Sequence, residues 1–204
     1  MGESGPRIGI IGGTFDPIHH GHLFVAEEAR VRYALDRVVI IPHGQAPHKD
    51  QNGISPAEHR YAMCALAAAA NPAFEASRIE LDRPGRSYTI DTLLALREQH
   101  GASAELHFII GADAVLEIMT WYRPDDVLSE AKFIAVNRPG SDLSTLADVI
   151  GKERAARVLT MHVPGLAISS TDIRRRARAG EAIRYLVPDV VAEYIEAEGL
   201  FGRG

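Results

Sequence analysis

Apolar residues in this chain fall in short unbroken runs, and the runs alternate with stretches where they recur every three or four positions. A continuous run bounded by turn residues reads as a strand buried on both faces, and the wider spacing reads as a helix with one apolar face. RIGIIGG (7–13) is the first strand, ended by glycines. From His20 onward, Leu23, Ala26, Ala29 and Tyr33 recur at helical steps. RVVIIP (37–42) is a second strand, stopped by Pro42, and HGQAPHKDQNG is a loop. In SPAE (55–58), Ser55 suits an N-cap, Pro56 the first helical position and Glu58 the third, which predicts a capping box. The helix it opens is expected to run to Asn71-Pro72.

FEASRIELD (74–82) is strand-like, and RPGRS turns. A helix is predicted from Thr89 to His100, then a strand over ELHFIIG (105–111) and a helix beginning at Ala112. AKFIAVNRPG (131–140) repeats the strand-then-glycine pattern, and VLTMHVP (158–164) is a fifth strand. SSTDIRRRARAG opens a helix ending at Gly180, and PDVVAEYIEAEG (188–199) is a last amphipathic helix. Strands alternating with helices imply right-handed crossovers and a parallel sheet. The expected fold is a single α/β domain over 1–204. Residues 7–165 form a Rossmann-like parallel sheet of about five strands flanked by helices, and 166–204 a short helical C-terminal part. Ligands of such sheets bind at the carboxyl ends of strands. Gly12, Gly111 and Arg138 each follow a strand directly, which places three distant segments on one rim.

Composition narrows the function classes. Apolar residues make up 46% of 204, enough for a sizeable core, and the net charge of -5 argues against a broad nucleic-acid surface. The single cysteine, Cys64, lies in an Ala-rich apolar run and reads as a buried inert thiol. No apolar run reaches the ~18 residues of a membrane span. The N-terminal MGESGPR has no apolar core of a signal peptide, so a reducing cytoplasm is expected.

The chemistry concentrates in GGTFDPIHHGH (12–22), which holds three of the nine histidines within four positions. It is neither a dinucleotide fingerprint nor a Walker loop. Gly12 and Gly13 let a phosphate approach the backbone closely, and a helix start offers unpaired N–H groups and a positive dipole end. His19 and His22, three apart, share a helix face and suit an anion. The alternatives are a zinc site, which His43 or His48 would have to complete, and a plain surface turn. No HExxH or cysteine pair supports zinc.

The segment resembles the nucleotidylyltransferase signature, whose core is His-x-Gly-His (His19, His20, Gly21, His22). More narrowly, the chain resembles bacterial nicotinate-nucleotide adenylyltransferases nearly end to end. PHK (47–49), SYTIDTL (87–93), GADA (111–114), WY (121–122), RPG (138–140), ISSTDIR (168–174) and YLVPDVVAEYI occur in that family's order. The resemblance implies adenylyl transfer from ATP to nicotinate mononucleotide, with Mg²⁺ carried on the ATP phosphates. It implies His19 and His22 as catalytic groups. It implies an ATP site made with Gly12, Gly13, Thr14, Phe15, Gly111, Asp113, Arg138, Ser170, Thr171 and Arg174. It implies Thr14, Lys49, Thr89, Trp121 and Tyr122 for the mononucleotide, with Trp121 stacked on the pyridine. No protein-held metal, nucleic acid or membrane partner is expected, and a homo-oligomer stays open.

Simpler readings stand beside several of these. His20 is a surface position, Asp16 a structural turn acid, and Asp113 by default a first-turn acid. Ser169 or Ser170 is a natural N-cap, with Ser169-x-x-Asp172 fitting a capping box, and Arg175, Arg176 and Arg178 form a solvated face. Gly44-Gln45 depart from the Asn pair some members carry, which bears on side-chain contacts to the pyridine. Glu80, Asp82 and Asp91 are unassigned. The rivals are a sister transferase using nicotinamide mononucleotide or phosphopantetheine, a non-catalytic nucleotide sensor, and a metal-dependent hydrolase.

Overall fold

The computed structural model describes residues 5–44, 53–137 and 145–202. Lys49, Arg138, His48 and Gln45 lie outside them. Six parallel strands form one sheet in the order β3-β2-β1-β4-β5-β6. They are β1 (Arg7–Gly13), β2 (Arg37–Pro42), β3 (Phe74–Ala76), β4 (Glu105–Gly111), β5 (Lys132–Asn137) and β6 (Val158–His162). The order reverses between β1 and β4, the switch point where a crevice opens at the carboxyl ends.

Alternation within each strand divides the core in two. Ile11, Val38, Ile40, Ile109, Ile134, Val136 and Met161 face one side. There they pack on α1 (His20–Arg32), α2 (Ala57–Ala68), α8 (Ser170–Ala179) and α9 (Asp189–Ala197). Ile8, Ile10, Val39, Ile41, Leu106, Phe108, Ile110 and Phe133 face the other. They meet α3 (Thr89–His100), α4 (Ala112–Leu116), α5 (Pro124–Glu130) and α6 (Leu146–Ile150), with α7 (Lys152–Ala155) beyond. Both faces are covered, so the strands read as continuous apolar runs. Cys64 is fully buried, and burial raises its pKa, which suits an inert thiol. No helix among the described residues is long and apolar enough to cross a membrane.

Three local expectations are corrected. The predicted capping box at SPAE does not form: α2 begins at Ala57 with Pro56 at the N-cap and no side-chain cap. A residue before proline is driven out of the helical region. Ser55 instead gives its N–H to Asp16 at 3.2 Å and its carbonyl to Arg60 at 3.1 Å, while Glu58 pairs with Arg78 at 2.8 Å. The helix also stops at Ala68, short of Asn71, whose side-chain Oδ1 accepts from the Ala73 N–H. The strand-like stretch 74–82 is extended over only three residues, yet these add a sixth strand at the edge of the sheet.

α8 begins as its sequence implies. The Ser169 hydroxyl accepts from the Asp172 N–H at 3.1 Å, and Gly180 closes the helix at φ +70. The Asp172 carboxylate does not complete the box; it pairs with Arg175 and Arg176. Ser169→Ala is expected to lower stability by about 1 kcal/mol. Urea unfolding checks this, and an unchanged midpoint would remove the cap's role.

Candidate active site

A cleft of about 390 Å³ opens where the switch point places it. The end of β1 supplies Ile11, Gly12 and Gly13, and α1 supplies Gly21, His22 and Val25. His43, Thr89, Phe108, Ile109, Ile110, Gly111, Ala114, Trp121 and Val136 complete its lining. No carboxylate lines it among the described residues.

The glycines are needed for close approach, since nothing strains their backbone. A Cβ on Gly13 would stand 2.9 Å from the Phe15 ring, and one on Gly12 would stand 3.3 Å from His43 Nε2. Phe15 itself takes a left-handed φ of +48, is 3% exposed, and meets the His22 ring edge-on at 4.9 Å. A non-glycine residue in that region stores backbone strain, a recurrent property of ligand-clamping turns.

The two histidines divide their work. His19 is the N-cap of α1 and is 3% exposed. Its ring stacks on His22 at 3.6 Å and 19°, and its backbone N–H donates to His22 Nδ1 at 3.3 Å. With Nδ1 accepting, a neutral His22 carries its proton on Nε2. His22 lines the cleft at the first turn of a 13-residue helix, where the dipole end favours an anion. His19 backs it, and does not line the cleft. His20 is exposed, as its variable place in the motif suggests.

Other expected residues separate into groups. Gly12, Gly13, His22, Thr89, Gly111 and Trp121 come together in the cleft. Trp121 is half-buried, with its ring edge-on to Phe108 at 6.3 Å. Tyr122 is 54% exposed and leans on Tyr88 at 4.6 Å. Asp113 is exposed in the first turn of α4. Ser170, Thr171 and Arg174 do not line the cleft. Ser170 Oγ donates to the Pro17 carbonyl at 2.8 Å, and Arg174 donates to the Asp16 carbonyl at 2.7 Å. The start of α8 is thereby stapled to the loop that leads into His19.

Sequence reasoning left out three residues. Arg60, 3% exposed in α2, donates to the carbonyls of Thr14 (3.0 Å), His43 (2.8 Å) and Ser55 (3.1 Å). Burial lowers its pKa and the Asp16 charge opposes this; a guanidinium stays protonated regardless. Glu80, 8% exposed, accepts from the Thr92 hydroxyl at 2.9 Å and the Gly44 N–H at 3.3 Å. Burial raises its pKa, and those two bonds oppose the rise. His43 is the third. Nothing in the spacing of Arg60 announces a role; Glu80 carries no assignment in the sequence, and His43 enters there only as a residue that could complete a zinc site.

With a positive helix end, an imidazole donor, a glycine floor and no carboxylate base, the cleft suits chemistry between phosphates. Residues 10–176 match the cytidylyltransferase-like family model. A Moorella thermoacetica protein named as a probable nicotinate-nucleotide adenylyltransferase is 50% identical over 198 residues, covering 96% of this chain and 91% of its own. One of the same name from Acidothermus cellulolyticus is 46% identical over 201 residues, covering 97% and 95%. Among solved structures, the Plasmodium falciparum nicotinic acid mononucleotide adenylyltransferase complexed with NaAD matches with a TM-score of 0.74 at 18% identity. That match covers 96% of this chain and 97% of the other, and it supports the fold. By the family model and these relatives, the chain belongs to the nicotinate-nucleotide adenylyltransferase family within the cytidylyltransferase-like proteins.

Proposed function

We propose that the chain transfers the adenylyl group of ATP to nicotinate mononucleotide, releasing pyrophosphate and forming nicotinate adenine dinucleotide for NAD biosynthesis. The observation that carries this reading is His22 beside the Gly12-Gly13 floor in a cleft whose described lining holds no carboxylate. An oxygen of the mononucleotide phosphate bonds to the α-phosphorus of ATP as the bond to the pyrophosphate oxygen breaks. The attacking phosphate has a second pKa near ~6, so at neutral pH it needs no base. The protein has to align two anions and stabilise charge on the leaving pyrophosphate.

Residues take their parts accordingly. His22 donates from Nε2 to the triphosphate, and His19 holds that ring in place. Gly12, Gly13, Thr14 and Phe15 shape the floor, and Gly111 with Asp113 serves the adenosine. Arg138 and Lys49 are assigned to phosphates through the family resemblance alone. Ser170, Thr171 and Arg174 complete the triphosphate end, and the bonds of Ser170 to Pro17 and of Arg174 to Asp16 support one functional unit over 1–204. Mg²⁺ enters with ATP. Among the described residues no group of three or more His, Cys, Asp or Glu is arranged to hold a metal, so the phosphate oxygens and water would be its ligands.

Preference for nicotinate follows from the other end of the cleft. Thr89 opens α3, a 12-residue helix, and its N-terminus faces the aromatic wall of Phe108 and Trp121. A carboxylate satisfies N–H and O–H donors there, whereas an amide turns its own N–H toward some of them. One or two such mismatches, at about 1–3 kcal/mol each, give roughly fivefold to about 10⁴-fold discrimination. The test is pyrophosphate release with ATP and a panel of mononucleotides, with and without a chelator. Nicotinate mononucleotide should lead, activity should vanish in chelator and return with magnesium, and Thr89→Val should narrow the preference. Equal kcat/KM for the nicotinate and nicotinamide forms would reassign the acceptor.

A further inference from the structure

Two imidazoles line the cleft together with the glycine floor. His22 approaches it from α1, and His43 approaches from the end of β2. His43 is held through its main chain at both groups. Its N–H donates to the Gly13 carbonyl at 2.8 Å, and its carbonyl accepts from Arg60 at 2.8 Å. Its Nδ1 is sealed from solvent, while Nε2 stands 3.3 Å from where a Gly12 Cβ would lie. The Phe108 ring comes within 3.8 Å of the same point and borders Trp121 in turn. His43 therefore sits where the floor meets the aromatic wall, and the Phe15 ring lies between the floor and His22.

The reaction has two anions to hold, and the cleft offers two imidazoles from different elements. We propose that His43 is a binding residue for the phosphate of the acceptor mononucleotide, donating from Nε2 across Gly12, while His22 serves the ATP side. This rests on the adenylyltransferase reading. His43 takes no proton from the nucleophile. A dianionic phosphate that accepts one hydrogen bond keeps lone pairs on its other oxygens for the attack, and the bond fixes its approach. The aromatic wall then receives the pyridine at the other end of the same molecule, so floor and wall fix the acceptor at two points. Glycine at position 12 serves this arrangement as well, because a side chain there would displace the imidazole.

The test compares His43→Ala with wild type in three measurements: KM for nicotinate mononucleotide, KM for ATP, and Ki for nicotinate riboside. The riboside keeps the pyridine and sugar and lacks only the phosphate. A hydrogen bond to a charged group predicts a mononucleotide KM raised roughly ten- to hundredfold. The ATP KM and the riboside Ki should stay within threefold of wild type. If the alanine variant does not fold, His43→Gln against His43→Leu gives the same comparison at matched size, with only glutamine retaining a donor. An unchanged mononucleotide KM, an equal rise in the riboside Ki, or a rise confined to ATP overturns the assignment while leaving the adenylyltransferase reading intact. A wild-type protein that releases no pyrophosphate with any pyridine mononucleotide overturns both.

Discussion

His22→Ala is expected to lower kcat by about 10²–10³ while leaving the melting temperature nearly unchanged. The ring is positioned before any ligand arrives. His19 stacks against it, Phe15 meets its edge, and the His19 N–H holds Nδ1. A donor fixed in this way needs no reorganisation when charge develops on the leaving pyrophosphate, which is why its loss acts on turnover. Its contribution to packing is smaller, because the ring is only half-buried at the cleft wall. Steady-state pyrophosphate release and a thermal melt on the same preparation separate the two effects. Near-normal turnover with an unchanged melt would take His22 out of the chemistry. His19→Ala should lose activity too, and should lose stability as well, because its buried ring supports the turn and caps the helix.

Arg60→Met should cost stability of about 3–5 kcal/mol. Methionine fills much of the same volume, so the loss measures the charge and its bonds more than a cavity. Three carbonyls would lose their donor, and the buried carboxylates of Asp16 and Glu80 would lose a neighbouring positive charge. For a chain of this size that is a fall in melting temperature of roughly 10 °C. Arg60→Lys should lie between, since an ammonium keeps the charge but cannot span three acceptors set for a planar fork. Urea unfolding of the three proteins checks the order. A methionine variant within 1 kcal/mol of wild type would show that the carbonyls find other donors.

The features legible in the sequence are those whose cause is local. Runs such as RVVIIP and ELHFIIG read as strands because both sheet faces are covered, so interior positions are apolar with His107 as the exception. α8 reads cleanly because cap and terminal glycine agree, and α3 because its buried positions recur at helical steps and end before Gly101. The floor of the cleft was legible because glycines and histidines adjoin in one turn. α6 and α7, with five and four residues, were not. Neither is long enough to show a period. Arg60 reads as an ordinary helical arginine, since its partners lie in the β1–α1 loop and at both ends of the β2–α2 connection, which only the fold brings together. The short edge strand β3 was ambiguous for the opposite reason: its pattern continues to Asp82, and the Arg78 pairings with Glu58 and Asp82 favour a turn over further pairing.

The staple between α8 and the β1–α1 loop joins residues 153 and 158 positions apart in the chain. During synthesis the glycine-histidine turn leaves the ribosome early, and its lock leaves late. Until α8 docks, the carbonyls of Asp16 and Pro17 have no donor from it, and the turn leading into His19 lacks two of its fastenings. An incomplete chain can therefore form much of its sheet while its anion site remains loose.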